Sequence, residues 1–294
     1  MDPTDTPSPT VSACIPSQGR SSLVEVSIPS LLAQGDGLQE VVVALHGVAA
    51  PDHPVLRDPR VRVIRHDGPT VSTARNAAAE QASGDLLYFL DDDDRCEPGG
   101  LDALRALVDR PQVALACGAM DIHQPAPAQI ERRFPSDQGG LYHHLVALFH
   151  AGTFAVRRSL FEELGGYRGE LRFGENYELG LRLAHHLHDH GLAARTTDHV
   201  VLAYDRHPKD RQVEQARTAA LLLELHPDLM AANPDEWATH EAIVAVAAWR
   251  EGRHGEARRR FARAVRLDPR HRTHWARMGL ALVPPVADRR WPPA

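Results

Sequence analysis

What the chain has little of narrows it first. Of its 33 basic residues only Lys209 is a lysine, cysteines number three (Cys14, Cys96 and Cys117), and aromatics make up 5%. Three cysteines without a CxxC pair suggest neither a zinc knuckle nor a disulfide framework. No run of about 18 apolar residues is present, so no membrane-spanning helix is expected. A surplus of positive charge is also missing. The formal net charge is −6, which argues against a general nucleic-acid partner. The opening "MDPTDTPSPT" lacks the positive and apolar regions of a secretion signal. Residues 1–9 therefore read as a disordered leader, and the cytoplasm is the default location.

What remains is ordinary globular composition, 43% hydrophobic and 24% charged over 294 residues. That length suits one large domain plus an appendage. Short apolar runs at 11–15, 40–45, 60–64, 85–90 and 113–118 read as buried strands. Helical patterns at 21–34 and 70–83 lie between them. Thr70 or Ser72 can cap the second, and Gly84 can close it. Residues 152–167 read as a strand, a short helix and a Gly-Gly stop; a helix follows at about 175–190 and a strand at 199–204. This alternation predicts an α/β fold, a mostly parallel sheet flanked by helices, over residues 10–210.

Residues 211–294 read as all-helical. Ala257, Phe261, Ala264 and Pro269 are spaced 4, 3 and 5 apart. With Ala245 and "WARMG" (275–279), that spacing resembles about one and a half tetratricopeptide repeats. Such a tail would dock a protein partner, a second copy of the chain or the acceptor, or simply cover the sheet.

The chemistry concentrates at "FLDDDD" (89–94), where a buried strand runs into Asp91, Asp92, Asp93 and Asp94. Four adjacent carboxylates repel one another unless solvated or neutralised by a cation. The ends of parallel strands are where ligands dock. Carboxylates match Mg2+ or Mn2+ as hard ligands to hard ions, and such ions often grip a substrate phosphate as well.

Four segments, "VSACIPSQGR" (11–20), "VSTARNAAAEQASGDLLYFLDDDDRCEPGGL" (71–101), "GTFAVRRSLFEELGGY" (152–167) and "GENYELGLRLA" (174–184), resemble in order the landmarks of family 2 glycosyltransferases. The resemblance implies a GT-A fold and metal-dependent sugar transfer, inverting in many members, from a nucleotide-diphosphate donor to an acceptor the sequence does not identify. It implies Asp91 and Asp93 as the ends of a DxD motif, with Asp91 and Asp92 toward the donor and Asp91 and Asp93 toward Mn2+ or Mg2+. It also implies Pro16, Ser17, Gln18, Arg20 and Arg75 on the nucleotide side, and His207 as a late histidine approaching the metal. A nucleotidyltransferase is disfavoured because "PSQGRSS" (16–22) holds only one glycine and one arginine.

Two positions depart from the family pattern. Strand 40–45 leads to Leu45 and His46 where acidic residues commonly hold the base, so His46 would stack on a base or donate to it. At the catalytic position the pattern has Glu-Asp, and this chain has Glu175-Asn176. A neutral amide takes no proton under ordinary conditions. Three routes stay open. Glu175 acts as base, the reaction manages without a protein base, or the chain binds donors without turning them over as a scaffold with an interaction tail. Glu178, on a similar helix face, is a reserve candidate, and otherwise a structural or acceptor-contacting residue.

Overall fold

The computed structural model describes residues 8–124, 129–171, 173–205 and 211–292, and the chain divides into two units, Met1–His207 and Pro208–Ala294. The first unit opens with β1 (Val11–Ser17), β2 (Leu38–His46), β3 (Val61–His66) and β4 (Leu86–Phe89). Every residue of β1 and β4 is buried, as expected of strands covered on both faces. Then come β5 (Arg95–Cys96), β6 (Val113–Gln124), β7 (Gln129–Arg133), β8 (Ser136–Asp137), β9 (Val146–Ala147), β10 (Phe154–Arg157) and β11 (Ala193–Asp205). Among the described residues these form a nine-stranded sheet of order β3-β2-β1-β4-β10-β6-β11-β5, with β7 paired to β6. β8 and β9 pair separately.

The first four strands are parallel, as is β6 with β11. β10 runs antiparallel to both of its neighbours, an antiparallel insertion in a sheet whose longest ladders are parallel. After β6 the chain doubles back through β7 and the β8–β9 pair. It then enters the gap between β4 and β6 in the opposite sense.

Helices α1 (Ile28–Leu32), α2 (Val71–Glu80), α3 (Gly100–Leu107), α4 (Arg158–Glu163) and α5 (Glu175–His190) connect these strands. The helix expected over 21–34 is present over residues 21–32, with a π-helical segment, Leu23–Ser27, running directly into α1. Pro29 sits in the first turn of α1, where it has no N–H to extend an earlier ladder. Thr70 caps α2 through a reciprocal pair with Thr73. Gly84 does not close that helix, which ends at Glu80. Its hydrogen lies where a Cβ would come within 2.7 Å of the Ser12 backbone nitrogen, so glycine permits close approach to β1.

The second unit contains α6 (Arg211–Leu225), α7 (Pro227–Ala232), α8 (Pro234–Arg250), α9 (His254–Leu267), α10 (Arg272–Ala281) and α11 (Pro284–Arg290). Ala238, Ala242 and Ala245 of α8 share a core with Ala257, Phe261 and Ala264 of α9. Small residues on facing helices allow close approach, and Phe261 fills the remaining gap. Trp275 stays 56% exposed, and α10 gives way to Pro284-Pro285 rather than to a further repeat helix of the same length.

Candidate active site

β4 delivers the acidic run to the rim of the sheet, and the backbone turns there, with the Asp94 N–H donating to the Asp91 carbonyl across 3.2 Å. Serines from the segment after β1 tie this turn down. Ser22 Oγ donates to the Asp92 carbonyl at 2.7 Å, and Ser27 Oγ to the Asp94 carbonyl at 2.8 Å. The loop leaving β1 closes over Asp92. Ser17 Oγ and the Gln18 N–H both donate to its Oδ2, at 2.6 and 3.3 Å. Burial raises the Asp92 pKa despite those bonds and the nearby Arg20 charge. Arg20 pairs with Asp93 and lies 3.5 Å from Asp92.

Arg75, on α2, is 2% exposed and joins two parts of the site. Its Nη2 is 2.6 Å from Asp91 Oδ1 and its Nη1 is 2.9 Å from Glu175 Oε1. Burial works against the guanidinium charge, but Asp91, and further on Glu175, more than offset it and raise its pKa. Its face lies against the Tyr167 ring, 5.4 Å from the centroid.

Asp94 is the strained member of the run. It is buried, and its Oδ2 has no hydrogen-bond partner. Burial, then repulsion from Asp91, Asp93 and Asp205, pushes its pKa well above the usual carboxylate range. An orphaned carboxylate oxygen with further carboxylates near enough to repel it could accept a hard divalent cation. Asp91, Asp93 and Asp94 could supply oxygen ligands, which suit Mg2+ or Mn2+ better than a softer ion. Sequence reasoning passed over Asp94 and Asp205. The first lay in plain view within the run, whereas nothing local marks Asp205, which only the pairing of β11 with β5 and β6 brings near.

At the start of α5, Glu175 is held by Arg75, and the Asn176 Nδ2 lies 3.5 Å from Glu175 Oε1. Asn176 Oδ1 accepts the Tyr167 hydroxyl at 2.9 Å. Glu178 is not brought to this cleft. It is fully buried and paired with Arg168 and Arg182, at 2.8 and 2.7 Å. Its position is therefore that of a packing ion pair rather than of a proton acceptor.

Pro16 pairs with Ala44 inside the sheet. His46 ends β2 with its ring 6.3 Å from that of His66. Beyond the ends of β2 and β3, a cavity of about 440 Å³ is lined by Leu45, Gly47, Val48, Val63, Ile64 and Arg65, among others. His207 lies outside the described residues.

A family model described as glycosyl transferase family 2 matches residues 12–165. The O-antigen biosynthesis protein RfbC of Myxococcus xanthus is 29% identical over 203 residues, 60% of this chain and 16% of that protein. A probable N-acetylgalactosaminyltransferase 6 of Caenorhabditis elegans is 26% identical over 136 residues, 37% of this chain and 22% of that protein. The uncharacterized glycosyltransferase EpsJ of Bacillus subtilis is 26% identical over 192 residues, 59% and 55% of the respective lengths. The chain thus spans between about a sixth and about half of the curated relatives it matches. The crystal structure of TarS from S. aureus superposes with a TM-score of 0.58 at 14% identity, over 96% of this chain and 53% of that one. That likeness concerns the fold, a GT-A arrangement.

Proposed function

This chain belongs to glycosyl transferase family 2, and from that premise we propose that it moves a sugar from a nucleotide-diphosphate donor to a hydroxyl or amine acceptor, with a divalent cation at Asp91, Asp93 and Asp94. The observation that carries the reading is the buried Arg75, which grips Asp91 with one nitrogen and Glu175 with another. It ties the donor side of the cleft to the start of α5, where an acceptor would be deprotonated.

In this reading the loop at Ser17–Arg20 meets the diphosphate, and Arg20 leaves Asp93 to pair with phosphate oxygens. The apolar cavity beyond β2, with Leu45 and Val48, takes the nucleobase by packing rather than by a carboxylate. Bound Mg2+ or Mn2+ would supply Lewis-acid stabilisation of the departing diphosphate. Glu175 takes the acceptor proton. Asn176 is a positioning residue. Its oxygen is fixed by Tyr167, so its amide hydrogens point away from that phenol, toward Glu175 and the acceptor. Attack on the face opposite the leaving group inverts the anomeric centre.

A second reading, a donor-binding scaffold with weak or no turnover, draws on one fact. A neutral asparagine stands beside a glutamate already engaged by arginine. In either reading the alanine-rich helices of the second unit resemble an interaction repeat and offer a docking element for a partner or a second copy. One experiment separates the two. Incubation with a panel of nucleotide sugars and Mn2+ releases nucleoside diphosphate if the chain is a transferase. Saturable donor binding without release would establish the scaffold.

A further inference from the structure

We propose that Glu163, His186 and His190 form a second cation site, selective for Zn2+ and separate from the acidic cluster at the sheet rim. One donor atom from each residue lies within 4.8 Å of the others. His186 and His190 stand one turn apart on α5, with rings stacked 3.9 Å between centroids and 14° from parallel. Glu163 ends α4, and its Oε1 is 3.8 Å from His186 Nε2.

The arrangement is built into the fold rather than left to side-chain chance. Glu178, Arg182, His186 and His190 recur every four residues and share one stripe of α5. Arg182 anchors that stripe, donating to the Leu164 and Gly166 carbonyls at 2.8 and 2.7 Å. Those carbonyls belong to the turn directly after Glu163, so the same contact delivers Glu163 opposite His186. His186 is a rigid wall at 11% side-chain exposure, and Glu163, at 63%, is free to swing. Zinc ligands at bond lengths near 2.0–2.1 Å sit about 3.3 Å apart in a tetrahedron. Turning the exposed His190 ring out of its stack on His186, so that its in-plane lone pair meets that of His186, and swinging Glu163 inward bring the three donors to that spacing.

The protonation pattern also suits a metal. His190 Nδ1 lies 2.9 Å from the His186 carbonyl, so that nitrogen carries the hydrogen and Nε2 keeps its lone pair. Two imidazoles and one carboxylate favour Zn2+, whereas Mg2+ prefers oxygen alone. A nearby group provides the contrast. His185 Nε2 donates to the Leu141 carbonyl at 3.0 Å, leaving its Nδ1 to accept from His143 Nε2 at 2.9 Å. In that group the ring nitrogens satisfy one another. At Glu163, His186 and His190 an ion would instead pin the end of α4 to the last turn of α5, bracketing the segment that carries Tyr167.

Titration calorimetry with Zn2+ on the full chain, in excess Mg2+, tests the site. The expected result is one Zn2+ bound per chain at this site, weakened about tenfold or more in Glu163→Gln and in His190→Ala. Both positions are exposed, so metal-free melting should match the parent. Co2+ substituted for Zn2+ should give the visible absorption of a four-coordinate site, lost in His190→Ala. Unchanged zinc affinity in both variants overturns the proposal. So does loss of binding in His188→Ala but not in His190→Ala, which would move the ion to the neighbouring histidines. Displacement of Zn2+ by equimolar Mg2+ overturns the stated selectivity.

Discussion

The Tyr167 hydroxyl donates to Asn176 Oδ1 across 2.9 Å. Burial raises the Tyr167 pKa, so the phenol stays protonated and fixes which way the amide faces. A carboxylate at 176 would accept the same hydrogen bond, so Asn176→Asp should fold normally. With Glu175 as base, that variant loses the amide donor beside Glu175 and should lower turnover rather than raise it, while Glu175→Gln should lower kcat by roughly 10²–10⁴-fold. A strong gain in Asn176→Asp would move the base to position 176.

Arg75 is the charge on which Asp91 and Glu175 both depend. Arg75→Met removes the buried guanidinium that pairs with both carboxylates and should cost about 3–5 kcal/mol, measured as a shift in the urea midpoint. Arg75→Lys should recover part of that stability. A single ammonium cannot reproduce the two-pronged grip, so donor affinity should stay low in calorimetry.

Asp93→Ala should abolish the Mn2+-dependent part of donor binding, and undiminished Mn2+ dependence would remove the basis for the cation assignment. Asp94→Asn should separate stability from binding. The folded pKa of Asp94 lies above its unfolded value, so the folded chain holds a proton that the unfolded chain has lost between the two. Metal-free stability at this residue is therefore greatest below the ordinary aspartate pKa and falls as pH rises toward the folded value. Asp94→Asn should flatten that slope and raise the metal-free melting temperature, by about 2–4 °C per kcal/mol of repulsion relieved. The Mn2+-induced rise in melting temperature should be lost.

Glu40 behaves in the opposite sense. Burial opposes its charge, but bonds from Ser83 and Ser12, with Arg62 nearby, outweigh burial and lower its pKa. Its contribution is complete above the ordinary glutamate pKa and is lost as pH falls through the lower folded value. Glu40→Gln should cost about 1–3 kcal/mol at neutral pH, with the difference from the parent narrowing in acid. Melting curves at neutral and acidic pH read this directly.

Much of the fold was legible because buried strands carry a dense local signal. The apolar run at 85–90 contains β4, and of the two caps the sequence offers for α2, Thr70 and Ser72, Thr70 is the one used. Most of what the sequence hides depends on partners far along the chain. Gly84 looked like a helix stop, but its constraint is the β1 backbone. Glu178, a reserve base by helical period, takes instead the structural role also open to it, held by Arg168 ten residues back and by Arg182 one turn on. Asp205 carried no signal, because its nearness to Asp94 is a product of sheet order. The reversed β10 likewise has no local marker, since strand direction depends on the path of the excursion before it.

The start of α2 is laced to the backbone before α5. Thr70 Oγ1 donates to the Gly169 carbonyl and Ser72 Oγ to that of Leu171, while Asn76 exchanges two hydrogen bonds with the Tyr167 backbone. Arg75 rides on that same turn and a half of helix. The two walls of the cleft are therefore mechanically one piece, and a substitution that tilts α2 to suit a different donor would drag Tyr167 and the Asn176 amide along with it. Altered preference on one side, without penalty on the other, has to be sought in segments outside this lacing.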